Sequence, residues 1–147
     1  MRLVIQRVKE GSVSVDNKIV NEIKKGYVIL VGINIEDNET DIDYLVRKTL
    51  NLRIFDDENG VMNKSIVDIN GEILSISQFT LQATTKDGNR PSYVNAMKGP
   101  DAIKLYEEFN RKLNEQIKTL PGVFGADMTV NIVNDGPVTI IIDSKNR

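Results

Sequence analysis

The chain of 147 residues contains neither cysteine nor histidine. Those two absences exclude disulfides, thiol nucleophiles, Ser-His-Asp triads, imidazole bases and the common cysteine or histidine zinc sites within one chain. Any hydrolysis here must work without an imidazole. Long apolar runs are missing as well: no stretch approaches the roughly 18 uninterrupted apolar residues that a membrane span needs. The start, Met1-Arg2-Leu3-Val4-Ile5-Gln6-Arg7, puts charge inside the only apolar run available as a signal sequence, so a cytoplasmic protein is expected. A basic excess is absent too. The formal net charge of -2 speaks against an extended nucleic-acid-binding surface. Two local basic patches remain, Lys86, Arg90 and Lys98 in a Gly/Pro-containing segment, and Lys104, Arg111, Lys112 and Lys118 on a predicted helix. Mixed-sign charge is ordinary on solvated helices, so neither patch carries a function by itself.

With 40% hydrophobic and 27% charged residues, the composition is that of an ordinary globular domain, and the length fits a single domain over residues 1–147. Residues 2–35 read as strands, Leu3-Val4-Ile5, Val13/Val15 and the buried-type run Val28-Ile29-Leu30-Val31, punctuated at Asp16-Asn17 and Lys25-Gly26. An amphipathic helix is expected from about Thr40, with Ile42, Leu45, Val46, Thr49 and Leu50 at helical spacing behind an acidic start. Asp56-Asp57-Glu58-Asn59-Gly60 superficially resembles a calcium loop. Aligning Gly60 with the loop's central glycine puts Phe55 and Ile66 at two ligand positions, so the segment reads instead as a hairpin turn on Asn59-Gly60. No metal or other cofactor is expected.

Residues 72–81 are expected to form another strand, followed by a long polar connection through Pro91, a length that often marks function. Gly99-Pro100-Asp101 opens a second helix with Ala102, Tyr106, Phe109, Leu113 and Ile117 as its buried stripe, ended by Pro121-Gly122. The last third reads as a hairpin: Met128/Val130/Ile132 alternate, Asn134-Asp135-Gly136-Pro137 turns, and Val138/Ile140/Ile142 alternate again. The expected fold is α/β (α+β), with a mixed, barrel-like set of strands and two main helices.

Two polar interruptions in these strands are candidate sites, because a polar group inside a buried strand must be satisfied or used. One is Ser77-Gln78 with Thr80, which simple alternation of strand faces would also explain. The other is Gly136-Pro137, for which a plain turn suffices; the same dipeptide at Gly99-Pro100 needs only a helix start.

A resemblance discriminates between these readings. Gln6-Arg7-Val8, Ser77-Gln78-Phe79-Thr80-Leu81, Gly88-Asn89-Arg90-Pro91-Ser92-Tyr93, Phe124-Gly125-Ala126-Asp127-Met128 and Asn134 to Thr139 together resemble the D-aminoacyl-tRNA deacylase family over essentially the full length. Tyr93 stands where the family usually carries Phe. The resemblance implies a C2 homodimer acting on tRNA, in which a cis Gly136-Pro137 peptide enters the partner's pocket beside Ser77, Gln78, Phe79 and Thr80. It also implies that Arg7 and Met128 hold the Gly-Pro loop.

The implied reaction is hydrolysis of the ester between a D-amino acid and the terminal ribose of tRNA, with L-aminoacyl-tRNA rejected. Backbone N–H groups around Phe79 and Thr80 could stabilise the oxyanion, and the resemblance implies that the substrate's 2'-hydroxyl helps to activate water. Carbonyls of Gly136-Pro137 would engage the α-amino group, so an L side chain would collide with backbone, while glycine mischarged on tRNA(Ala) would be accepted. Three alternatives stay open: Thr80 as a covalent nucleophile, which needs an activating base; a non-catalytic nucleic-acid-binding module; and an esterase for small acyl substrates.

Overall fold

The computed structural model describes residues 1–147. Its sheet is organised on one long strand, β1 (Arg2–Val15), whose apolar positions Leu3, Ile5 and Val13 are fully buried. Asp16 and Asn17 then both take positive φ, 50° and 61°, a conformation that Asp and Asn tolerate better than other side-chain-bearing residues. The chain therefore reverses tightly into β2 (Lys18–Ile23). β3 (Gly26–Gly32) continues along the same edge of β1, from Val8↔Gly26 to Arg2↔Gly32.

Beyond β3 the sheet is parallel. The small hairpin β4 (Phe55–Asp56) and β5 (Met62–Lys64), turning at Gly60, lies outside it. β6 (Glu72–Ser77) pairs parallel to β3, and β7 (Thr119–Pro121) pairs parallel to β6. β8 (Thr129–Asp143) occupies the other edge of β1. Asn21 Nδ2 donates to the Pro121 carbonyl at 2.7 Å, linking β2 to β7 so that the sheet curls toward a nearly closed barrel.

Two helices cover one face. α1 (Glu39–Asn51) starts with a reciprocal cap, in which Asn38 Oδ1 accepts from Thr40 N and Asp41 Oδ2 accepts from Asn38 N. α2 (Gly99–Asn114) begins with Pro100 in its first turn, where a missing N–H costs nothing. Ile42, Leu45, Phe109 and Leu113 pack with Leu3, Ile5, Tyr27 and Ile73 of the sheet in the main core. The opposite face holds a smaller cluster, including Val8, Val28, Leu74 and Ile76, flanked by the half-buried Met128, Val130 and Ile132.

Three expectations need correction. The strand expected over residues 72–81 stops at Ser77, and Phe79–Gln82 form a 3-10 turn. Its pairing partner runs out: Gln78 N still donates to the Val31 carbonyl at 2.7 Å, but β3 ends at Gly32, and the turn packs against that glycine so closely that a Cβ there would meet Leu81 Cβ at 2.7 Å. The second helix ends at Asn114 rather than at Pro121-Gly122. Asn114 Oδ1 accepts from Thr119 N, and the following residues become β7. The terminal segment is no hairpin. Residues 129–143 make one strand, both halves of which pair with β1.

Asp41 gives the fold a testable acid limb. Burial opposes its charge, but contacts from Ser144, Lys145 and the Asn38 N–H outweigh it and hold the carboxyl down at about 2. Its unfolded value is near 3.9. The stabilisation is therefore fully present above about pH 4 and is lost as pH falls toward 2. In thermal melts between pH 4 and pH 2, Tm of the wild type is expected to fall more steeply than that of Asp41→Asn; parallel slopes would show that Asp41 does not contribute.

Candidate active site

A cavity of about 540 Å³ opens at the carboxyl ends of the parallel strands β3 and β6. Val31, Ile33 and Ile76 form its apolar floor, and the backbone leaving β6 at Ser77, Gln78 and Phe79 forms one wall. The start of α2 closes a second side through Gly99 and Ala102, with Ala96 and Met97 just before it. The third side is the segment from Phe124 to Met128, which reverses at Gly125, where φ is 76°. Met128 is fixed there by close packing on Gly122, since a Cβ on that glycine would meet Met128 Sδ at 2.7 Å. Asp127 is the one charged residue in the lining.

The wall at Ser77 to Phe79 runs straight into the 3-10 turn. Inside the 3-10 turn Leu81 N donates to the Gln78 carbonyl at 3.2 Å and Ala83 N to the Thr80 carbonyl at 3.0 Å. No side chain caps the turn. The N–H groups of Phe79 and Thr80 at its start thus lack an acceptor within the turn, as the first N–H groups of any helix do. The Thr80 hydroxyl accepts a hydrogen bond from Gln78 Nε2 and does not line the cavity. The Phe79 ring is 57% exposed and meets Tyr93 edge-on, with centroids 5.0 Å apart. Behind the cavity, the Tyr106 hydroxyl donates to the Ser75 carbonyl at 2.7 Å, and burial makes it a weaker acid than usual.

Gly136 and Pro137 lie elsewhere. They are joined by a cis peptide bond and exposed, and neither lines this chain's cavity. Val130, at the cavity, and Gly136 are six residues apart on β8, or roughly 20 Å at 3.3 Å per residue. The strand bulges at the dipeptide: Gln6 pairs with Thr139 and Val8 with Asn134, so Asp135, Gly136, Pro137 and Val138 face Arg7 alone. Asn134 Oδ1 accepts from Val138 N at 3.1 Å and ties the neck of the bulge.

Arg7 lies beneath this bulge, only 7% exposed. Its Nε donates to the Asp135 carbonyl at 3.2 Å and lies 3.3 Å from the Asp135 carboxylate, while Nη1 donates to the Ile54 carbonyl at 2.6 Å. Asp56 Oδ1 is a further 3.4 Å contact. The eight residues singled out in the sequence thus fall into two groups within one chain. Ser77, Gln78, Phe79 and Met128 line the cavity, with Thr80 just behind; Arg7, Gly136 and Pro137 form the distant bulge. Sequence reasoning missed Asp135 as the partner of Arg7, although it adjoins the Gly-Pro pair, and missed Ala96 and Met97, for which no local signal exists.

The sequence model of a family described as D-Tyr-tRNA(Tyr) deacylase matches residues 4–143. The chain belongs to that family. Among its relatives, the D-aminoacyl-tRNA deacylase of Flavobacterium psychrophilum is 58% identical over 149 residues, covering 100% of this chain and 99% of that protein. The D-aminoacyl-tRNA deacylase of Clostridium novyi is 56% identical over 148 residues, with coverage of 100% and 99%. These relatives make the family one of hydrolases. Among solved structures, the c-Myc DNA Unwinding Element Binding Protein superposes with a TM-score of 0.91 at 43% identity, covering 97% of this chain and 98% of that one. A probable eukaryotic D-amino acid tRNA deacylase superposes at 0.81 with 18% identity, covering 96% and 97%, and shows the shared fold.

The bulge geometry makes Gly136 a sensitive position. Its φ of 123° is outside the range that L side chains readily adopt, and an added Cβ would meet Val138 Cγ2 at 2.8 Å and Arg7 Nη2 at 3.1 Å. Gly136→Ala is expected to destabilise the deacylase-family fold by about 1–3 kcal/mol in urea titrations. An unchanged midpoint and slope would show that the bulge relaxes freely.

Proposed function

We propose that this chain hydrolyses the ester joining a D-amino acid to the terminal ribose of tRNA, in the cavity at the ends of β3 and β6. Water adds to the ester carbonyl, the bond to the ribose oxygen breaks, and free D-amino acid and tRNA leave. The carrying observation is identity of 58% and 56%, over the whole chain, with two D-aminoacyl-tRNA deacylases. The absence of histidine restricts how the step is run. The Phe79 and Thr80 N–H groups supply the oxyanion donors, each typically worth about 3 kcal/mol or more of transition-state stabilisation. The substrate's own 2'-hydroxyl assists the attacking water. Ser77 and Gln78 shape the wall that holds the ester.

Thr80 is not the nucleophile in this reading. Its hydroxyl is turned to Gln78 rather than into the cavity, and no base is bonded to it. Chiral selection falls to Gly136 and Pro137, whose carbonyls would hold the α-amino group so that an L side chain collides with backbone. Exclusion of this kind discriminates better than preference. The distance of the dipeptide from its own cavity supports its delivery into a partner's cavity within a C2 homodimer, with Arg7 bracing the bulge from beneath and Met128 receiving it. Achiral glycine on tRNA(Ala) passes the same filter. No helix is long and apolar enough to cross a membrane, and we place the activity with tRNA in the cytoplasm.

A binding module without catalysis is a second reading, favoured by the 43% identical neighbour whose name refers to a DNA element. Deacylation of D-Tyr-tRNA and L-Tyr-tRNA separates the two. The D ester is expected to turn over at least about a hundredfold faster, which corresponds to about 2.7 kcal/mol of discrimination; no turnover of either leaves the binding module. Thr80→Ala is expected to stay within about threefold of the wild type. A hundredfold loss in a folded variant, about 2.7 kcal/mol, would restore Thr80 as a nucleophile.

A further inference from the structure

The two basic patches visible in the sequence have different electrostatic fates. On and just after α2 the cations are already paired: Lys104 with Asp101, Arg111 with Glu108 and Glu115, Lys112 with Glu39 and Asp43, and Lys118 with Glu72. A paired cation presents little net field to a phosphate, because its acid repels what it attracts. Lys86, Arg90 and Lys98 are exposed, and none forms an ion pair or donates a side-chain hydrogen bond. Two acids are near them in sequence: Asp87 pairs with none of the three, and Asp101 is engaged by Lys104.

Their placement links them to the cavity. The segment leaves the wall at Phe79–Gln82, projects as a loop pinched by the Thr84↔Ser92 bridge, and returns through Tyr93, which rests on Phe79, to Ala96 and Met97 in the lining. Lys86 and Arg90 sit on the projecting loop. Lys98 stands between two lining residues, Met97 and Gly99. Unpaired cations also occur on β2 and α1, but none of those adjoins a lining residue in sequence.

We infer that Lys86, Arg90 and Lys98 form the phosphate-binding rim of the cavity, gripping the backbone of the tRNA acceptor end while the ester enters below. This rests on the reading of the cavity as a D-aminoacyl-tRNA site. It also reconciles an acidic chain with an RNA substrate: the α2 cations are silenced by their acids, leaving a short basic rim where the strand must pass. Phosphate contacts position the nucleic acid and carry no base specificity. The rim therefore serves D-aminoacyl-tRNAs irrespective of sequence.

The test compares the wild type with the triple variant Lys86→Ala, Arg90→Ala, Lys98→Ala, and with the control Lys104→Ala, Arg111→Ala, Lys118→Ala. Two quantities are read between 50 and 200 mM salt: steady-state hydrolysis of D-Tyr-tRNA and filter retention of uncharged tRNA. Three phosphate contacts should make the wild type lose about 30-fold more affinity over this range than the rim variant does. The rim variant is expected to show a raised KM, unchanged kcat and a shallower salt slope for both readouts, with the control like the wild type. A rim variant that keeps the wild-type salt slope, or that loses kcat at saturating tRNA, overturns the inference. If the wild type fails to hydrolyse D-Tyr-tRNA but the rim variant still loses tRNA retention, the catalytic reading falls and the rim stands.

Discussion

Arg7 is a cation inside a strand whose neighbours are apolar or ladder-bonded, with 7% of its surface exposed. A guanidinium in that position is tolerable only if its N–H groups are occupied, because an unpaired buried charge costs several kcal/mol. The Asp135 carbonyl and carboxylate, the Ile54 carbonyl and Asp56 meet that demand. Meeting it fixes the far strand: Asp135 turns in toward Arg7 while Gly136 and Pro137 stand out into solvent on a backbone that needs glycine. Tyr27 shares the pocket of charge. Burial raises its pKa, and the nearby guanidinium offsets only part of the rise.

The cavity depends on a different constraint, the point at which β3 and β6 stop pairing. After Gln78 the backbone has no strand to bond, so it tightens into a 3-10 turn against Gly32, and the N–H groups at the start of that turn have no acceptor within it. In the proposed reaction, a chain without histidine or cysteine would draw its positive potential beside the ester from these backbone groups. Backbone donors do not titrate and need no reorganisation as charge develops. The proposed division is then clear: one end of the sheet offers donors, and the bulge on β8 offers acceptors, at positions too far apart to meet within a chain.

Local sequence carried the elements whose limits are set locally. Asp16-Asn17, the helical spacing of Ile42, Leu45 and Val46 behind an acidic start, and Gly99-Pro100 ahead of Ala102, Tyr106, Phe109 and Leu113 gave the β1–β2 turn, α1 and the start of α2 nearly as found. It failed where a distant partner decides. Asn134-Asp135-Gly136-Pro137 between two alternating runs is locally indistinguishable from a hairpin, and only the length of β1, at 14 residues, lets both runs pair with one neighbour. The end of β6 is likewise dictated by Gly32, and β7 is too short, at three residues, to show a period. Ser77, Gln78 and Thr80 showed as a polar interruption that face alternation also explained, and resemblance decided for them and added Phe79, while the burial of Arg7 and its acceptors required the fold.

The central claim is that cavity and bulge act across two protomers. Subunit mixing tests it most directly, using Gly136→Val to spoil the bulge and Ala126→Phe to fill the cavity, each inactive alone on D-Tyr-tRNA. If the bulge serves the partner, every mixed dimer holds one intact cavity facing one intact bulge, and an equal mixture should recover about a quarter of the wild-type rate. If the bulge served its own chain, every site would carry one defect, and a mixture as inactive as its parents, with dimer exchange verified, would contradict the claim.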